Sequence, residues 1–140
     1  MKTLSIFTVI LLIAGSTVLG QSGFNFQKYN NSSATVPYKL LTFTGTKQSN
    51  NGAYSVLLAW SAVGETNIVG YAIEKSSSSS PQSWNIISYV PSSNQNLVIT
   101  RNYSDNIGSI FNRITFNYRL KIYFTNHTIQ YSNVVSVQLP

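Results

Sequence analysis

The sequence lacks cysteine altogether and has few acidic side chains. Its 140 residues include no cysteine, three acidic residues and one histidine, against nine lysines and arginines. The absence of cysteine excludes disulfide bonds and thiolate metal ligands. A folded domain of this chain must therefore be held together by the burial of apolar side chains.

Groups that usually carry out acid–base chemistry are equally scarce. The acids are Glu65, Glu74 and Asp105, and the histidine, His127, lies in a predicted turn. A metal site needs three or four convergent ligands, so these side chains predict no metal site and no cofactor. A carboxylate pair for glycoside hydrolysis needs one acid kept protonated by burial, whereas Glu74 is predicted to face outward from its strand. No nucleophile elbow or phosphate-binding glycine loop is present, so we predict that the chain is not an enzyme.

The positive charge is scattered along the chain. The formal net charge is +6. A nucleic-acid site is typically a dense basic stripe with stacking aromatic rings, so no nucleic-acid partner is predicted. The scattered charge is typical of a mildly basic surface, with a weak attraction to anionic polymers of a cell envelope as the alternative. The basic residues beyond the first twenty positions are Lys28, Lys39, Lys47, Lys75, Arg101, Arg113, Arg119 and Lys121.

The N-terminal residues have the layout of a secretory signal. Met1 and Lys2 precede an apolar run at 4–14, and a stretch at 15–20 with small residues at the expected cleavage positions ends at Gly20. The run is too short for a transmembrane span, which takes about 20 apolar residues. We therefore predict a signal peptide at 1–20 that is cleaved near Gly20. The product is expected to be secreted into the periplasm or outside the cell, with no transmembrane anchor in the mature chain.

The rest of the chain is typical of an all-β domain that follows a flexible lead-in at 21–35. No helical period appears, and short apolar alternations are separated by turn-rich gaps. A bulge is predicted at Ile86 and Ile87, and a loop at 104–112. About seven strands at this spacing predict one domain at 36–140, a two-sheet antiparallel β-sandwich. The predicted strands are 38–46, 54–61, 68–76, 83–90, 97–103, 116–125 and 128–139.

Alternation along these strands predicts which side chains form the core. In the last strand, Ile129, Tyr131, Val135 and Val137 are expected to point inward, and Tyr123 of the strand before it is expected to point outward. The predicted structural core consists of Trp60, Tyr71, Ile73, Tyr118, Leu120 and Ile122.

Several stretches resemble a fibronectin type III-like domain, in the version common in exported proteins of Bacteroidota and often found next to type IX secretion sorting domains. The resemblance implies an immunoglobulin-like sandwich with Trp60 in its core and a corner contact made by Tyr118. Its third and sixth strands are neighbours, which implies an exposed ion pair between Glu74 and either Arg119 or Lys121. The stretches are VLLAW at 56–60, ETN at 65–67, GYAIEKS at 70–76, YRLK at 118–121 and VVSV at 134–137.

Two functions are consistent with these features. The first is an exported structural or protein-interaction module at the cell envelope or outside the cell, whose partner is an unknown protein. The second is a small carbohydrate-binding module that stacks an envelope or extracellular polysaccharide on Trp84 and Tyr123. Asn85 and the serines at 76–80 would then supply polar groups near Trp84. Aromatic residues are also ordinary strand formers, so their number alone does not separate the two functions.

Overall fold

The computed structural model describes residues 35–140, which form eight β-strands and one short 3-10 turn. The predicted signal peptide at 1–20 lies outside the described residues, as does the predicted lead-in at 21–35 except for Thr35. Within 35–140 no helix is long and apolar enough to cross a membrane. The elements are β1 (Lys39–Asn50), β2 (Ala53–Val63), the 3-10 turn (Glu65–Asn67), β3 (Ile68–Ser77), β4 (Ser80–Pro91), β5 (Ile99–Ser109), β6 (Ile114–Phe124), β7 (Ile129–Tyr131) and β8 (Val135–Leu139).

The strands form two antiparallel sheets that pack against each other, which confirms the predicted β-sandwich. The small sheet has the order β1-β2-β5. The large sheet has the order β4-β3-β6-β7, and β8 also pairs with β6. β3 and β6 are therefore neighbours at the centre of the large sheet. We call the side of this sheet that faces away from the small sheet the outer face.

The core lies between the two sheets and is built from alternate residues of their strands. Trp60 of β2 packs edge-on against Tyr71 of β3, with ring centroids 5.7 Å apart. Tilted and edge-on packing of this kind suits the charge distribution of aromatic rings. All six residues predicted for the core are buried: Trp60, Tyr71, Ile73, Tyr118, Leu120 and Ile122.

The structure corrects two predictions about strand ends. The predicted loop at 104–112 is mostly strand, because β5 continues its pairing with β2 as far as Ser109. The single strand predicted at 128–139 is two strands, separated where Ser132 exchanges hydrogen bonds with the backbone of Leu120. Because of this break, the alternation of inward and outward side chains in β7 is reversed relative to the prediction. Ile129 and Tyr131, which were expected to point inward, are therefore exposed on the outer face.

Two bulges bring extra aliphatic side chains to the outer face. In β4, Ser88 pairs with Ile73 and Ile86 with Glu74, so one extra residue lies between them, as predicted. In β3, one extra residue, Val69, lies between the paired positions. As a result Ile86 is 57 % exposed and Val69 is 51 % exposed. Bulges redirect side chains in this way, often beside functional sites.

We predict that Trp60→Ala lowers the free energy of unfolding by about 3–5 kcal/mol, because truncating a buried aromatic side chain loses apolar burial and leaves a cavity. Urea unfolding monitored by circular dichroism measures the change. The matched control is Trp84→Ala, which removes the same side chain from a partly exposed position and should cost clearly less. Equal losses in the two variants would contradict the central role of Trp60.

Candidate interaction surface

Each of the three carboxylate side chains is bonded to a cation. Glu65 is fully buried, and both of its carboxylate oxygens bind the guanidinium of Arg101. Tyr71 Oη donates to Oε1 at 2.7 Å. The backbone N–H and the hydroxyl of Ser93 donate to Oε2 at 2.9 Å and 2.8 Å. From the sequence, Glu65 was predicted only to lie in a connection between two strands, because most of its hydrogen-bond partners lie far from it in the chain.

Local geometry explains how Glu65 reaches this position. Gly64 adopts φ +74°, and a Cβ at this residue would lie 2.3 Å from the carbonyl oxygen of Val36. Only glycine fits such a left-handed, tightly packed position without strain. The turn at Glu65–Asn67 follows directly, and the Glu65 N–H donates to the Gln95 carbonyl at 2.9 Å. The turn between β2 and β3 is thereby fastened to the connection between β4 and β5.

The surroundings of Glu65 keep it ionised. Burial alone raises the pKa of this carboxyl group, but the hydrogen bonds from Arg101, Ser93 and Tyr71 outweigh burial and lower the pKa from 4.5 to about 2. Burial raises the pKa of Tyr71, and the hydrogen bond to Glu65 raises it further. The group is therefore a buried carboxylate with a bidentate cation and a neutral tyrosine, which is an arrangement that holds structure together.

Asp105 joins the two sheets. It lies on β5 of the small sheet, and its Oδ2 is 2.6 Å from Lys75 Nζ and accepts a 2.7 Å hydrogen bond from Tyr118 Oη. Lys75 and Tyr118 lie on the large sheet. Tyr118 Oη therefore bonds to a side chain of the other sheet, and not to nearby backbone as in the corner contact that the resemblance implied.

Glu74 lies beside both cations that the strand pairing implied. Arg119 Nε donates to Glu74 Oε2 at 2.7 Å, and Lys121 Nζ lies 3.9 Å from Oε1. Glu74 does face outward, but it is only 5 % exposed, so the expectation of an exposed pair was wrong. The side chains of Glu65, Glu74 and Asp105 are 0 %, 7 % and 13 % exposed, and each one is bonded to a cation.

His127 lies exposed in the turn between β6 and β7, at φ +65°. Within residues 35–140 there is no group of three or more His, Cys, Asp or Glu side chains that could hold a metal ion.

The outer face carries a cation clamped between two aromatic rings. The Arg119 guanidinium carbon lies 4.2 Å from the ring centroid of Trp84 and 4.2 Å from that of Tyr131. With its Nε bonded to Glu74, Arg119 is held on three sides. Lys121 lies beside it, 5.5 Å from the ring centroid of Tyr123. Arginine stacks readily on aromatic rings, and such contacts fix its orientation.

An apolar groove of about 500 Å³ lies next to this clamp on the same face. Tyr89 and Tyr123 form one part of it, with ring centroids 6.3 Å apart. A Cβ at Gly70 would lie 2.6 Å from the Tyr89 hydroxyl, so the glycine lets the tyrosine lie close against β3. We call this the outer-face groove; its aliphatic lining is Val69, Ala72, Ile86 and Ile129.

The two aromatic residues predicted for binding both lie on this face, in different surroundings. Trp84 is stacked on Arg119, whereas Tyr123 lines the groove beside Tyr89. The polar groups predicted to lie beside Trp84 are elsewhere. Asn85 lines a separate cleft of about 350 Å³ together with Ser76, Ser77 and Ser80. Sequence reasoning missed the contact of Arg119 with Trp84, because β3 lies between their strands. It missed the contact of Arg119 with Tyr131, because the break between β7 and β8 was not foreseen.

A comparison of the chain with known protein families, with curated proteins and with solved structures finds no match in any of the three.

We predict that Glu65→Gln lowers the free energy of unfolding by about 3–5 kcal/mol, because it leaves the Arg101 charge buried without a counter-charge. The matched control is Glu74→Gln, the same change beside two cations that keep more contact with water. Urea unfolding at pH 7 should show a clearly smaller loss for the control. Equal losses would contradict the special position of Glu65.

We also predict that Glu65 makes stability fall in acid. Its pKa is 4.5 when unfolded and about 2 when folded, so the unfolded chain takes up the proton first as the pH drops. The contribution of Glu65 is therefore complete above pH 4.5 and is lost progressively as the pH falls towards about 2. A carbon-13 NMR titration of the Glu65 carboxyl group checks this directly. A midpoint near 4.5 in the folded protein would contradict it.

Proposed function

We propose that this chain is an exported, non-catalytic interaction module of the fibronectin type III-like kind, which binds another protein through the outer face of its large sheet. The observation that carries the proposal is the outer face itself. Aliphatic side chains that two bulges and a strand break turn outward lie there beside four aromatic rings. Exposed apolar surface concentrated in one place is typical of a site that a partner covers.

The residue types on this face support a protein partner. Energetically important interface positions are enriched in Trp, Tyr and Arg, and interface centres are poor in acidic residues. Trp84, Arg119 and Tyr131 form one such cluster, and Tyr89 and Tyr123 lie beside it. Arg119 is already held in place, so less side-chain freedom is lost when a partner binds.

The proposal that the chain has no catalytic activity is supported by the ion pairs of its carboxylates. Glu65, Glu74 and Asp105 are each bonded to a cation, and the bidentate Arg101 keeps the pKa of Glu65 far below the range useful for a general acid near neutral pH. Support for export comes from the signal-like layout at 1–20. Support for the fibronectin type III-like kind comes from the quoted sequence stretches and from the adjacency of β3 and β6.

A small carbohydrate-binding module is the second candidate, and the aromatic rings of the outer face favour it. Two features make it weaker. One face of the Trp84 ring and one of the Tyr131 ring are covered by Arg119. Apolar side chains make up much of the groove lining, and the groups that could orient a sugar are limited to those of Tyr89, Tyr123, His127 and Thr128.

We predict that a cross-linker placed on the outer face captures a discrete protein partner. Because the chain has no cysteine, Ile86→Cys gives a single attachment point for a photoactivated probe beside the groove. The exposed Asn102→Cys on the small sheet is the matched control. In the producing cells, Ile86→Cys should give an adduct of defined mass that Asn102→Cys does not give.

Two outcomes would contradict the proposed function. One is the same set of adducts at both positions, which indicates random encounters. The other is no protein adduct at Ile86→Cys together with binding of the wild-type domain on a glycan array that Tyr123→Ala abolishes. The latter result would establish the carbohydrate-binding function instead.

A further inference from the structure

The charged side chains that a partner of the described domain could reach are basic. Within residues 35–140, basic residues outnumber acidic ones by seven to three. All three carboxylates are shielded, with side-chain exposures of 0 %, 7 % and 13 %. An approaching molecule therefore meets cations without accessible carboxylate side chains. Surface potentials of one sign attract partners of the opposite sign and suppress others.

Part of this excess of positive charge lies at one point of the outer face. Arg119 and Lys121 lie on either side of a single carboxylate, Glu74, so one positive charge is uncompensated there. Arg119 uses Nε for Glu74, and its two Nη groups have no hydrogen-bond acceptor within residues 35–140. A guanidinium presents donors in a planar fork that matches a carboxylate. The rings of Trp84 and Tyr131 hold this fork in place.

The cations adjoin the outer-face groove. Lys121 pairs directly with Ala72 across the sheet, and Ala72 lines the groove. Directly paired residues have their Cβ atoms about 4.5–5.5 Å apart. A ligand that places an apolar side chain in the groove therefore has a carboxylate from the same short segment within reach of Lys121 and Arg119.

We propose that the outer face binds an acidic segment of another protein, with an apolar side chain in the groove and a carboxylate on Arg119 and Lys121. This inference rests on the proposed function and names the chemistry of its partner. A second copy of this chain is the wrong partner for the same surface, because it would bring Arg119 and Lys121 towards their own counterparts while Glu74 stays shielded. An acidic polysaccharide matches the charge but has no aliphatic side chains for Val69, Ile86 and Ile129 to contact.

Defined peptides test this chemistry with the mature domain. The probe is a soluble ten-residue peptide of Gly and Ser that carries two leucines and two glutamates. One control peptide has glutamine in place of glutamate, and the other has serine in place of leucine. In NMR titrations at low salt the probe should bind at least about 10-fold more tightly than either control, since a charge-assisted hydrogen bond and a buried side chain each contribute at this scale.

Protein variants locate the binding. Lys121→Gln and Ile129→Ser should each weaken binding of the probe by about 10-fold, because each removes one half of the site at a partly exposed position. Lys47→Gln makes the same charge change on β1 of the small sheet and should leave the affinity unchanged. Arg119→Gln is expected to weaken binding more strongly, with circular dichroism to confirm that it folds.

Each remaining outcome overturns the inference in a recognisable way. Equal weakening by Lys47→Gln would show a general charge effect. Binding of polygalacturonate that depends on Lys121 but not on Ile129 would identify an acidic polysaccharide. If the domain sediments as a dimer and Ile86→Asp dissociates that dimer, the partner is a second copy of this chain. No binding of any peptide, with the Ile86→Cys adduct still formed, would overturn the acidic chemistry alone; loss of the adduct as well would overturn the proposed function.

Discussion

The buried carboxylate of Glu65 is the constraint around which the rest of this domain is arranged. Arg101 binds it with two nitrogens, and Tyr71 and Ser93 complete its hydrogen bonds. The donors belong to β3, to the β4–β5 connection and to β5, so one side chain fastens three segments and both sheets. A buried ion pair adds little net stability over an apolar substitute, but losing one partner is costly. It therefore favours one arrangement of these segments over others, in a chain that has no disulfide to do so.

A carboxylate held by cations also organises the outer face of the large sheet. Glu74 is covered by the cations it binds, and Arg119 is clamped between Trp84 and Tyr131. The clamp stabilises the sheet and at the same time orients unused donors of Arg119. Next to it the bulge at Val69 places aliphatic surface in water, which costs free energy unless a partner covers it. Stability and the proposed recognition of a partner thus involve overlapping side chains on one sheet.

Much of the fold could be predicted because strand alternation is a local property. The inward faces of β2, β3 and β6 follow directly from it, and Trp60, Tyr71 and Leu120 are buried accordingly. Interruptions are harder to predict. The break at Ser132 depends on hydrogen bonds with Leu120, twelve residues earlier, and no local pattern marks it. That one break reversed the expected side of Tyr131 and hid its contact with Arg119.

The sequence by itself determined the all-β architecture, the alternating core, the absence of disulfides and the excess of positive charge, because each of these depends on composition or on neighbours two residues apart. It also placed Trp84 and Tyr123 among the binding candidates, although not their surroundings. Only the tertiary structure decided that every carboxylate is shielded by a cation, and that the aromatic rings, Arg119 and the groove share one face. Those relations join residues that are far apart in the chain, such as Glu74 and Lys121, and such pairs are set by strand register and bulges and not by local pattern.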